Sequence, residues 1–430
     1  MRVLIISHGH PGYSIGGAEV ASHTLFKAIQ AEPDDEAFYL SRAPSSFRRH
    51  SATPLMSLRH DDRETFMHTG VWDEFWLSNG GLGELAGAFT YYLQQVNPDV
   101  VHFHHIIGIG VEAVALVRRV LPTVRIVITF HEYLAICTNH GQMVKTGRHQ
   151  LCHAASPSTC NACFPHRSPA DFFGREEHLR SHLLLADAFV SPSHFLRERY
   201  EAWGLPSNRF HVIENAVSGT PALPRTLSAP DRRDRFAFFG QVSEFKGLPI
   251  VLEAISRIPE EIWDRATLSI FGGNLEMQPE SFQKRFQHLM DAAGRRARFF
   301  GSYRQDELPR LMADVDWVIM PSIWWENSPV VIQEANLHRR PLIVSGIGGM
   351  AEKVRDEVDG MHFRVGSPES LADKLCRALT EGDLWSRLSH AAPTPLDPRT
   401  SAADHLALYN NIDTHSISAS AASPQLDFAA

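Results

Sequence analysis

Short apolar runs rich in Val, Ile and Phe alternate along the chain with stretches whose apolar positions recur every three or four residues. The first run, Arg2 to Ser7, leads into a helical pattern over Ala18 to Glu32, and further runs follow at Val100 to His104 and Arg125 to Thr129. A Pro- and Ser-containing stretch, 218–231, interrupts the rhythm. It restarts at Phe236 to Phe239, Leu268 to Phe271, Arg298 to Phe300, Trp317 to Met320 and Leu342 to Val344. Strands separated by helices form parallel sheets. The pattern predicts an α/β chain of two Rossmann-like, doubly wound parallel-sheet domains facing across a cleft, 1–217 and 232–395, joined by the linker 218–231. Within 396–415, the stretch from Thr400 to Asn411 has helical character, with Leu406, Ala407 and Tyr409 available for packing. Residues 416–430 lack periodicity and read as a flexible tail.

Composition narrows the function. The 430 residues, 43% hydrophobic and 21% charged, suffice for two cores. A formal net charge of -8 argues against nucleic acid as a partner. No apolar run reaches the roughly 20 residues that span a bilayer, and the first run is too short for a signal-peptide core. A cytoplasmic location is expected, with peripheral contact at the inner face of a membrane left open. Five cysteines, four of them between Cys137 and Cys163, fit a reducing compartment.

In parallel sheets, ligands bind beyond the carboxyl ends of the strands. The loop after the first strand places Gly16 and Gly17 immediately before a helix, where backbone N–H groups can approach a phosphate. Its spacing is not the dinucleotide fingerprint G-x-G-x-x-G. In the second half, FFGQVSEFKG puts Gly240 at a strand end and Lys246 before the next helix, where an ammonium can neutralise a leaving diphosphate. In PSIWWENSPVVIQEA, Ser328 and Pro329 make a helix start with Pro as the first helical residue. That leaves Glu326 in the loop, Glu334 two turns along the helix, and the N–H groups of Val330 and Val331 free for an anion. Glu326 also reads as a capping carboxylate, and Glu334 as a surface or buried, paired residue.

The segments GGAEV, ITFHEYL, FFGQVSEFKG, the pair Glu326 and Glu334, PLIVSGIGGMAEKV and DGMHF, in that order, resemble glycosyltransferase family 4 from Met1 to about Ala378. The resemblance implies the GT-B fold, a nucleotide-sugar donor, no catalytic metal, and retention of anomeric configuration without a protein nucleophile. It implies that Gly16 and Gly17 face the donor diphosphate, His131 contacts the donor sugar, and Lys246 clamps the phosphates. Glu326 would bind sugar hydroxyls, the backbone of Asn327, Ser328, Pro329, Val330 and Val331 would hold sugar and phosphate, and Glu334 would bind the ribose. It further implies a terminal helix crossing back to the N-terminal domain. The family's usual Arg after the clamp glycine is Gln241 here, which removes a charge-assisted fork from the phosphate site. Asn215-Ala216 stands where Asn-Gly is usual. The acceptor implied is a glycan or lipid-linked hydroxyl, in surface-polysaccharide synthesis. The alternatives are a sugar-nucleotide epimerase or hydrolase of the same fold, or a non-catalytic nucleotide-sugar-binding subunit.

Other signals read differently. Asp314-Val315-Asp316 precedes a strand, the wrong edge for ligand, and is structural. His131-Glu132 lacks the second His of a zinc-peptidase motif. Alternation puts His102 and His104 on one face and His105 on the other, as core or cleft-lining residues. Trp72, Phe75 and Trp76 either stack on acceptor sugar or pack internally. Cys137, Cys152, Cys160 and Cys163, separated by 14, 7 and 2 residues, lie in an insertion, 137–170, with little periodicity. The closing C-x-x-C suits two thiolates on one ion, so a structural zinc is expected, pinning the insertion over the acceptor side. Free thiols, two disulfides or an iron–sulfur cluster are the competing readings, and His140, His149, His153 or His166 could replace one ligand.

Overall fold

Val3, Leu4, Ile5 and Ile6 of β1 (Arg2–Ser7) are fully buried, because a parallel strand covered on both faces has no polar side. The computed structural model describes all residues except 14–15, 45, 48, 50–52, 59–60, 148–149, 220–231 and 413–430. The linker expected at 218–231 therefore falls almost wholly outside the described residues, and the tail 416–430 falls outside them entirely.

After β1 come β2 (Glu36–Arg42), β3 (Leu55–Leu58), β4 (Asp61–Met67), a two-stranded hairpin of β5 (Trp72–Asp73) and β6 (Ser78–Asn79), β7 (Val100–Phe103), β8 (Arg125–Thr129), β9 (Ala188–Ser191) and β10 (Phe210–Val212). Eight of these form one sheet in the order β10-β9-β8-β7-β1-β2-β4-β3, parallel except where β3 meets β4. The second sheet holds β11 (Arg235–Phe239), β12 (Thr267–Phe271), β13 (Ala297–Gly301), β14 (Trp317–Met320), β15 (Leu342–Ser345) and β16 (Gly360–Phe363). It is wholly parallel, in the order β13-β12-β11-β14-β15-β16. The α/β, doubly wound expectation is met in both halves. Strand order reverses between β1 and β7 in one sheet and between β11 and β14 in the other, so a crevice opens at the carboxyl ends of those strands.

The last described helix, Pro398–Asn411, packs against the helix Gly17–Gln30 of the first sheet, with Ala402, Leu408 and Tyr409 joining the core of Val3, Ile5 and Phe26. The Tyr409 hydroxyl lies 2.7 Å from His102 Nδ1. Two expectations change. The helix after Glu326 runs Val330–Leu337, so Pro329 is its cap and Val330 its first residue. The cysteine insertion is more ordered than its periodicity predicts: Ser156 and Ser168, each followed by Pro, cap the helices Pro157–Cys163 and Pro169–Leu183. Among the described residues no helix is long and apolar enough to cross a membrane.

Candidate active site

The carboxyl edges of both sheets line one cavity of about 700 Å³. From the first sheet, Gly16 caps the helix Gly17–Gln30 in an extended conformation. A Cβ on Gly17 would stand 3.8 Å from Val330 Cγ2, so the first turns of the helices Gly17–Gln30 and Val330–Leu337 meet across the cleft. Both helix starts line the cavity, and the N–H groups of a first turn have no intrahelical acceptor. His131, after β8, lines it too. Its Nε2 lies 3.1 Å from His104 Nδ1, and burial pushes its pKa down to about 3, so the ring is neutral. Burial also pushes the Glu132 carboxyl up to about 8. His102 sits in the core, bonded to Thr129 and Tyr409.

From the second sheet, β11 ends at Gly240 and the chain turns through Gln241 to Lys246. Gly247 holds that turn with φ at +70°, where a Cβ would fall 2.0 Å from the Pro321 carbonyl, so only glycine fits. Lys246 Nζ lies 2.6 Å from Glu326 Oε1. The same oxygen accepts bonds from Ser322 Oγ at 2.7 Å and Trp324 Nε1 at 2.9 Å. Glu334, buried on the helix behind, accepts from Gln305 Nε2 at 2.6 Å, and burial raises its pKa. Ser322, Trp324, Gln305 and Tyr303 line the cavity and were not expected from sequence. Trp324 had a signal, since a tryptophan N–H beside a carboxylate seeks an acceptor. Gln305 and Tyr303 follow β13 and carry none.

The sequence-predicted donor residues Gly16, Gly17, His131, Gln241, Lys246, Glu326, Asn327, Ser328, Pro329, Val330, Val331 and Glu334 all line this cavity. Two of their side chains bridge the halves instead of facing inward. Asn327 Nδ2 donates to His131 O at 3.1 Å and its Oδ1 accepts from Ser193 Oγ at 2.8 Å, while Ser328 Oγ bonds Glu214. Asp316 is fully buried and accepts the Arg235 N–H at 3.0 Å, a structural role as expected. Trp72, Phe75 and Trp76 pack internally: Trp72 against the first-sheet core, Phe75 under Arg167 and Arg175, and Trp76 against His178.

The four insertion cysteines are half-buried free thiols, and no three of their sulfurs lie within 4.8 Å of one another. One such group does occur among the described residues: His10, His23 and Glu64. His10 Nδ1 accepts the Gly12 N–H at 3.0 Å, so its proton sits on Nε2 and is donated to Glu64 at 2.6 Å. With Lys27 Nζ also 2.7 Å from Glu64, the cluster is a charge network, not a ligand set.

The family model described as Glycosyltransferase Family 4 matches residues 15–218, and that described as Glycosyl transferases group 1 matches residues 233–381. A D-inositol 3-phosphate glycosyltransferase of Salinispora tropica is 28% identical over 218 residues, 46% of this chain and 44% of that one. An alpha-D-kanosaminyltransferase of Streptomyces kanamyceticus is 25% identical over 168 residues, 38% of this chain and 42% of that one. The matches thus span less than half the length of these curated relatives. Among solved structures, the sucrose-phosphate synthase of Thermosynechococcus elongatus superposes with a TM-score of 0.71 at 16% identity, covering 95% of this chain and 98% of that one. HepE of Anabaena in complex with UDP-glucose gives 0.64 at 17%, covering 95% and 99%. At these identities the structural likeness establishes the fold, GT-B.

Proposed function

This chain belongs to glycosyltransferase family 4, and on that premise we propose that it moves a sugar from a nucleoside-diphosphate sugar to a hydroxyl of a glycan or lipid-linked acceptor, with retention of anomeric configuration. The observation that carries the reading is the cleft itself, where helix starts from opposite sheets converge with the Lys246 ammonium and the carboxyls of Glu326 and Glu334. The first-turn N–H groups at Gly17 and Val330 suit the diphosphate, and Lys246 supplies charge as the leaving group departs. Glu334, buried behind the helix start, suits the paired hydroxyls of a ribose. Glu326, fixed by Ser322 and Trp324, suits the sugar hydroxyls. Neutral His131 offers the donor sugar a hydrogen bond without placing a cation beside an oxocarbenium-like centre. Retention then needs only alignment of both sugars and stabilisation of the departing phosphate on one face. The UDP-glucose bound by HepE supports a nucleotide-sugar ligand for this fold.

A thermal-shift series over UDP-, GDP-, ADP- and dTDP-sugars tests the donor assignment, because a ligand that binds only the folded chain raises its midpoint. One nucleotide class should stabilise well above the rest. No shift with any would remove the donor site.

A further inference from the structure

The cysteine insertion is tied to the loop that carries Glu326. Within the insertion, Val144 and Leu151 form an antiparallel bridge, and Cys152 N donates to Met143 O at 2.7 Å. The turn entering this hairpin begins at Cys137, whose carbonyl accepts Gly141 N at 3.1 Å, and Asn139 Nδ2 reaches Val144 O at 2.9 Å. Thr146 Oγ1 donates to Cys163 O at 2.8 Å. Cys160 and Cys163 stand three residues apart on one helix face. These local bonds gather all four cysteines around one hairpin, whose Met143 joins the core of the first sheet and whose Leu151 packs against it. Nearby, the buried Arg175 spends its fork on the carbonyls of Phe75, Leu134 and Ala135, and its charge acts on Cys137 and Cys160.

On the other side stands Trp325. It belongs to the loop after β14 in the second sheet, yet it is buried in the core of the first. Its Nε1 donates to Cys152 O at 2.9 Å, and its ring lies 5.2 Å from that of His153 and 5.0 Å from that of Phe195. The next residue is Glu326. The insertion thus reaches the loop that carries Glu326.

We propose that Cys137, Cys152, Cys160 and Cys163 bind one Zn²⁺ as thiolates, and that this site holds the Cys152 carbonyl where Trp325 docks, so that it positions Glu326. Binding releases the four thiol protons and leaves a ZnS₄ unit of charge -2, which the Arg175 guanidinium partly offsets. Zinc is the ion chosen because four soft thiolates at C-x-x-C spacing suit a tetrahedral d¹⁰ cation. The sulfurs lie too far apart in this structure for one ion, so binding draws them together and tightens the hairpin.

The test uses the full chain purified without added metal, and its readouts do not depend on sugar transfer. Elemental analysis should find about one zinc per chain. Cys160→Ser should lose it, whereas Cys163→His, which keeps a zinc-competent ligand, should retain it. The indole N–H resonance of Trp325, assigned through Trp325→Phe, should shift when zinc is chelated, while that of Trp385, which donates to Asp316 O in the second sheet, should stay. Chelation should also open the insertion to protease. A metal-free protein with four titratable thiols and a protease-resistant insertion would overturn the site, as would iron or disulfides in its place. Zinc that can be removed without moving the Trp325 resonance would overturn the coupling.

Discussion

Lys246 Nζ lies 2.6 Å from Glu326 Oε1, so the ammonium proposed to face the donor phosphates is bound to the carboxylate proposed to face the donor sugar. Glu326 keeps its orientation without Lys246, because Ser322 and Trp324 donate to the same oxygen. On the proposed roles, the pair couples the two ends of the breaking bond. As negative charge grows on the departing phosphate, the ammonium can share itself between phosphate and Glu326 with little movement.

Lys246→Ala should therefore slow transfer by about two to four powers of ten, the range for removing a preorganised charge stabiliser. Steady-state kcat/KM measures it. Unchanged turnover would mean that another cation serves the phosphates. Gln241→Arg is the complement: with a guanidinium restored after Gly240, nucleoside diphosphate should bind more tightly.

The two glutamates should separate by ligand. Glu334→Ala should weaken nucleoside-diphosphate binding by about 10- to 100-fold, the worth of hydrogen bonds to a charged group. Glu326→Ala should cripple transfer and leave that affinity intact. Calorimetry with the free nucleotide compares them, and equal affinity in all three proteins would defeat the division of roles.

The terminal helix is part of the first domain's core. Tyr409→Phe strands the buried His102 Nδ1 and should cost about 1–3 kcal/mol in chemical denaturation. Truncation after Leu396 should abolish soluble expression or activity, whereas truncation after Ser416 should be harmless. The opposite pattern would refute the assignment of the tail.

Glu132 should give stability a pH dependence of unusual sign for a carboxylate. Burial raises its folded pKa from 4.5 to about 8, outweighing the Leu134 N–H bond. The folded chain then holds the proton more tightly than the unfolded one. Its contribution is full below about 4.5 and is lost as pH rises through about 8. Glu132→Gln should flatten that part of the pH–stability curve; an identical slope in both proteins would contradict the assignment.

The central strands were legible because they are covered on both faces and so read as unbroken apolar runs, as in RVLIIS and WVIM. The residues that line the cavity were legible because loops at strand ends concentrate glycine, lysine and glutamate at fixed distances from a helix start. What sequence did not reveal depends on tertiary approach. Gln305 meets Glu334 across 29 residues, and Trp325 meets Cys152 across 173. No periodicity encodes either contact. The start at Val330 was misplaced by one residue because Pro329 fits a cap as well as a first turn.

The central claim, retaining sugar transfer in the cleft between the two sheets, is tested most directly by following labelled nucleotide sugar by NMR in the presence of candidate glycan and lipid-linked acceptors. The account predicts a glycoside with the donor's anomeric configuration, formed together with nucleoside diphosphate, and lost in Lys246→Ala. An inverted product, an isomerised nucleotide sugar, or free sugar alone with every acceptor would contradict it.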